Sequence, residues 1–186
     1  MARLALLFFV AVITCIPELS LAYSNNYASI GGGSGGSSEA GNLSIEGGVV
    51  RPHQRLGEYI VGIGATIIYT GDAPDGLIDC PVSHTEYVTL GKRVKDQEYG
   101  FYGKYGFSAI YNKLYVFGIA GFTIYEEVEV VQSTATGWYF TQSSEEKMVG
   151  LAGGGLAYFF GGIRGKCLQV EYDTRRGITG SIGLTW

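Results

Sequence analysis

Proline is scarce in this chain, with four residues in 186, and histidine scarcer, with only His53 and His84. Three cysteines are present, Cys15, Cys80 and Cys167. No Cys/His spacing of the kind that builds a zinc centre occurs, so no metal site is expected. Charge of one sign is also lacking: the formal net charge is −4, and no basic stripe runs along any segment. Nucleic acid as a partner is therefore not expected. Outside the N-terminus there is no apolar run long enough for a membrane-spanning helix. Helical patterns between the extended segments are missing as well, which argues against alternating β and α units. Gly31-Gly32-Gly33 lacks the lysine and helix of a phosphate-binding loop. No cofactor is expected.

What the chain does have is glycine and tyrosine, 30 and 14 residues, both high for an ordinary globular domain. Its hydrophobic fraction is 46%. Residues 1–22 read as a cleaved signal peptide, with Arg3, the apolar run Leu4 to Ile13 and the small-residue site Ser20-Leu21-Ala22. Residues 23–186 then form one domain. Its last ten residues set the pattern. Ile178, Gly180, Ile182, Leu184 and Trp186 fall on one face, and Gly177, Thr179, Ser181, Gly183 and Thr185 on the other. A strand alternates its side chains, so one side is apolar and the other small and polar.

The same period recurs upstream. Tyr27 to Gly33 is a weak strand followed by a glycine-rich loop to Gly41. Leu43, Ile45, Gly47 and Val49 oppose Ser44, Glu46, Gly48 and Val50. After a polar turn at Arg51 to Leu56, Tyr59, Val61, Ile63, Ala65, Ile67 and Tyr69 form one apolar face from about Glu58 to Tyr69. Glu98 to about Ile110 places Tyr99, Phe101, Tyr105 and Phe107 on one face and Glu98, Tyr102 and Lys104 on the other. Leu114 to Tyr125 is the fifth strand; both its faces are apolar, and Phe122 is a candidate for the inward one. Met148 to Phe159 is the sixth. In the seventh, Leu168, Val170 and Tyr172 oppose Gln169, Glu171 and Asp173. Long polar segments at about 71–96 and 126–147 separate strands three and four and strands five and six. Tyr87 to Leu90, and the 126–147 segment in part, are expected to be β-structured.

Eight strands, short connections alternating with long ones, and a terminal strand closing on an aromatic resemble the eight-stranded bacterial outer-membrane β-barrel family, the OmpA membrane domains and OmpX-like proteins. The resemblance implies an all-β fold, a closed eight-stranded antiparallel transmembrane β-barrel. It implies the outer membrane of a Gram-negative bacterium, contact with outer-membrane lipid and lipopolysaccharide, and recognition of the C-terminal strand by the assembly machinery. A monomer is expected.

Tyrosines about ten residues apart span the height of an outer-membrane apolar band. Tyr59, Tyr69, Tyr115, Tyr125 and Trp186 are accordingly expected at the membrane interfaces. Glu46, Glu58, Lys104, Gln169 and Glu171 are assigned to the interior as a polar network that plugs the barrel. Cys80 and Cys167 fall at opposite ends of this topology, too far apart for a disulfide. No catalytic residue is expected, because neither histidine lies within a strand. The expected function is non-enzymatic: a structural or adhesion-like role through long extracellular loops. The alternatives are a lipid A-modifying enzyme using Ser83 and His84, a narrow pore, and a soluble periplasmic lipid-binding barrel.

Overall fold

The computed structural model describes residues 25–36, 41–53, 57–70, 72–81, 86–111, 113–160 and 165–186. The expected signal peptide and the Ser83–His84 pair lie outside them. Eight strands follow one another: β1 Asn25–Ser34, β2 Gly41–His53, β3 Gly57–Tyr69, β4 Tyr87–Ile110, β5 Leu114–Ser133, β6 Tyr139–Phe160, β7 Gly165–Asp173 and β8 Gly177–Thr185. Each pairs antiparallel with the next, and β8 returns to β1 to close an all-β barrel. Closure leaves no free edge in the barrel wall. Asn25 and Trp186 mark one end, here termed proximal.

The wall is inverted relative to a soluble barrel. Ile63, Val116, Leu156, Leu168, Val170, Ile178 and Ile182 face outward and are exposed. Glu46, Glu98, Lys104, Gln169, Glu171 and Asp173 face inward and are buried. The period-two pattern explains this directly, since each strand sends its polar set to the same side. An apolar cluster of Tyr27, Ile60, Tyr115, Phe117, Ala157 and Phe159 fills the proximal interior. Small residues on β3 make room for it. A Cβ at Gly62 would overlap the Tyr27 hydroxyl, and one at Gly64 would overlap the Tyr102 ring.

The barrel is not uniform in height. β7 and β8 have 9 residues each, whereas β4, β5 and β6 have 24, 20 and 22. The β3–β4 pairing stops at Tyr69 opposite Gln97, and the β6–β7 pairing stops at Gly153 opposite Asp173. Beyond those points β4, β5 and β6 continue as a three-stranded sheet projecting from the distal end. A register shift between Lys95 and Tyr99 marks the exit, and Asp96 there adopts φ 61°.

The β-structure expected in parts of the two long polar segments extends further than that, over 87–96 in β4, 126–133 in β5 and 139–147 in β6. Only 134–138 joins β5 to β6. Their full extent escapes notice because most of their residues are polar and lie beside solvent. Polar residues then pair across strands instead of alternating with apolar ones. On β5, Glu127 is reached by Lys92 of β4 at 3.1 Å and by Lys147 of β6 at 3.6 Å.

Candidate functional site

Two features of the fold carry chemistry: the packed polar interior and the distal sheet. Within the barrel, Lys104 on β4 is the central cation. Its Nζ lies 2.6 Å from Glu46 on β2 and 3.5 Å from Glu171 on β7, and it donates to Gln169 Oε1. The Tyr27 hydroxyl donates to Glu46 at 2.6 Å, and Gln169 Nε2 donates to Ser29 at 3.1 Å. The Phe117 ring covers the ammonium at 4.0 Å from its centroid. Four of the five residues assigned to an interior network thus meet in one cluster.

Glu58 does not join them. It accepts a hydrogen bond from Tyr115 at 2.6 Å near the proximal end. This also corrects the expected place of Tyr115, which is 1% exposed and points into the barrel. Both faces of β5 are apolar, so its period cannot show which one meets lipid. The inward face is apolar because it packs in the proximal cluster, with the Tyr115 and Phe159 rings 5.0 Å apart. Phe122 is correspondingly outward, 6.0 Å from Phe101. Tyr125 stands at the distal rim against Arg175, 5.5 Å from the guanidinium. Tyr69 and Trp186 are outward and exposed at opposite ends, and Tyr59 packs 6.1 Å from Tyr105 near the proximal end.

The residue that sequence reasoning missed is Arg176. Its place in the β7–β8 turn reads as solvated. Instead its side chain folds back inside and is 0% exposed. It contacts Glu171 at 3.0 Å, Asp173 and Ser44, and it lies over the Tyr102 ring at 4.1 Å. The neighbouring Arg175 grips Glu98 through two hydrogen bonds at the distal mouth. The available signal was a count. The interior assigned from sequence held one cation against three carboxylates, and buried carboxylates need partners.

The charges of this interior are paired with one another. Among the described residues, no group of three or more His, Cys, Asp or Glu could hold a metal ion. Cys167 is buried in the barrel and Cys80 exposed in the distal connection; both are free thiols.

On the distal sheet, the segment after β3 folds back as a strap. Ile78 forms a parallel bridge with Phe140 of β6, donating to Tyr139 O at 3.0 Å and accepting from Thr141 N at 3.0 Å. Asp79 then takes both its carboxylate oxygens to 2.7 Å from Lys95 of β4. That hydrogen bond holds the Asp79 carboxyl below the usual range. Lys92 does the same for Glu127. Val128, Val130 and Val131 are buried, giving the projection a small core of its own.

No protein-family model matches the chain, and no curated protein matches it. Among solved structures it is similar to Ail, the attachment invasion locus protein of Yersinia pestis, at 9% identity and a TM-score of 0.46, covering 89% of this chain and 97% of that one. A second structure of Ail, in complex with the heparin analogue sucrose octasulfate, aligns at 11% identity and a TM-score of 0.43, covering 87% and 92%.

Proposed function

We propose that this protein is a non-enzymatic outer-membrane β-barrel that presents its projecting β4–β5–β6 sheet to surfaces outside the cell. The observation that carries the reading is the combination of a lipid-like exterior with extension at one end only. Nine-residue strands tilted as in known barrels give a wall roughly 23 Å high, close to the apolar band of outer-membrane barrels. Soluble proteins seldom expose so continuous an apolar surface. Short connections gather at the proximal end, which then faces the periplasm. The sheet, strap and exposed Trp138 face outward.

The packed, ion-paired interior supports a structural role for the barrel in preference to a pore. Outer-membrane lipid and lipopolysaccharide are its surroundings in this reading, the assembly machinery its route of insertion, and a monomer its state. Two measurements test it. An outer-membrane fraction in mild detergent should contain a band whose gel migration changes on boiling. Cells displaying the protein should adhere to a host-cell monolayer more than cells displaying a form with 88–94, 127–132 and 140–146 removed. A periplasmic protein with no heat-dependent migration overturns the membrane reading; equal adherence overturns the contact role.

A further inference from the structure

A groove of about 770 Å³ runs along the outside of the barrel at the β7–β8–β1 seam, in the proximal half. Its floor is low because Ala28 on β1, the outward residue between Ser29 and Tyr27, contributes almost no side chain. Ile30, Ile182, Leu168 and Leu184 stand around it as walls. Lys166 and Trp186 lie at the proximal rim. The register makes the arrangement compact: Leu184 is opposite Ala28 on one side and Lys166 on the other.

Lys166 is exposed, and among the described residues it forms no ion pair. Lys113 occupies the same end of the barrel. The one carboxylate side chain described there, Glu58, is buried and bonded to Tyr115. The distal end, by contrast, carries Asp72, Asp75, Glu86, Glu126, Glu129 and Glu146 among its acids. The proximal rim is thus a cationic edge above an apolar trough.

We infer that this groove is a binding site for a single anionic glycerophospholipid, one acyl chain lying over Ala28 and the phosphate paired with Lys166. The inference rests on the membrane reading above. Within a bilayer, apolar contact alone gives no preference, because surrounding lipid tails are equally apolar. Retention must come from shape at the Ala28 floor and from the charge at the interface. Trp186 suits that depth, where aromatic rings prefer to lie. Since this rim faces the periplasmic leaflet, the ligand is a phospholipid and not lipopolysaccharide.

The test is native mass spectrometry of the whole protein released from nanodiscs containing equal phosphatidylglycerol and phosphatidylethanolamine, with lipopolysaccharide added. The wild type should retain one phospholipid, enriched in phosphatidylglycerol. Lys166→Gln should reduce that enrichment roughly fivefold, the effect of one interfacial cation. Ala28→Leu should abolish retention by filling the floor. Lys166 is exposed, so its variant keeps the folded barrel even where Ala28→Leu does not. Unchanged enrichment in Lys166→Gln, retained lipopolysaccharide instead of phospholipid, or a second protein copy on this face would each overturn the proposal. A heat-modifiable barrel carrying no lipid fails this inference alone; absence of a heat-modifiable barrel fails the membrane reading beneath it.

Discussion

Arg176 and Glu171 meet at 3.0 Å inside the barrel, although Arg176 belongs to the turn that should cap it. The guanidinium also bonds Asp173 and Ser44, so one turn residue ties β7, β8 and β2 together. Removing it leaves two buried carboxylates short of a partner. Breaking such a pair from one side costs about 3–5 kcal/mol, because the remaining charge keeps its desolvation penalty. Arg176→Met should lower the denaturant midpoint of the refolded barrel accordingly. Adding Glu171→Gln should recover part of the loss. A variant as stable as the wild type would show that these charges are solvated.

A second prediction concerns the fit of β1 against β3. Gly62 stands where any side chain would meet the Tyr27 hydroxyl. Overpacking of this kind costs about 1–3 kcal/mol. Gly62→Ala should therefore destabilise the barrel, and Tyr27→Phe should relieve the overlap. Tyr27→Phe also removes one donor from Glu46, though Lys104 remains on that carboxylate. The double variant should be more stable than the sum of the single effects allows, read from tryptophan fluorescence across a urea titration. Strict additivity would mean the two residues do not touch.

Much of the barrel was legible in advance, and the reason is the alternation itself. On β2, β3, β4, β7 and β8 one face is distinctly polar, so Glu46, Lys104, Gln169 and Glu171 could be placed inside without coordinates. β5 defeated that method because Tyr115, Phe117 and Ile119 line the interior as apolar residues, while Val116 and Phe122 face outward. Arg176 was hidden for another reason. Its burial depends on a turn returning the side chain over Tyr102, a tertiary event with no local signature. The distal sheet was legible only in part, at Tyr87 to Leu90 and in stretches of 126–147, because Glu126, Glu127 and Glu129 look solvated. They are, yet they lie on a strand held by its cross-strand neighbours.

The two thiols report the orientation of the molecule. Cys80 is exposed in the strap, and Cys167 is 1% exposed within the barrel. In single-cysteine variants, a membrane-impermeant maleimide should modify Cys80 in intact cells. Cys167 should stay unmodified there and react only after denaturation. Modification of Cys80 solely in opened cells would invert the proposed topology. Ready modification of Cys167 in the folded protein would contradict its burial.

The strap should also respond to acid. Asp79 is held below the ordinary carboxylate range chiefly by the Lys95 hydrogen bond, with the Lys95 charge and Thr141 adding to the same direction. A carboxyl whose pKa is depressed on folding stabilises the fold above its unfolded value, near 4, and loses that contribution as pH falls through the folded value. The link between strap and sheet should thus persist at neutral pH and weaken below about pH 4. A spin label on Cys80, the next residue, should become more mobile over that acid window. Asp79→Asn should show the mobile spectrum already at neutral pH and lose most of the acid response. Glu127 is also held low by Lys92 and Lys147, so the Asp79 variant separates the two pairs. A wild-type label equally mobile at pH 7 and pH 3 would mean the Asp79–Lys95 contact does not hold the strap in place, and the fastening would then lie with the bridge from Ile78 to Phe140.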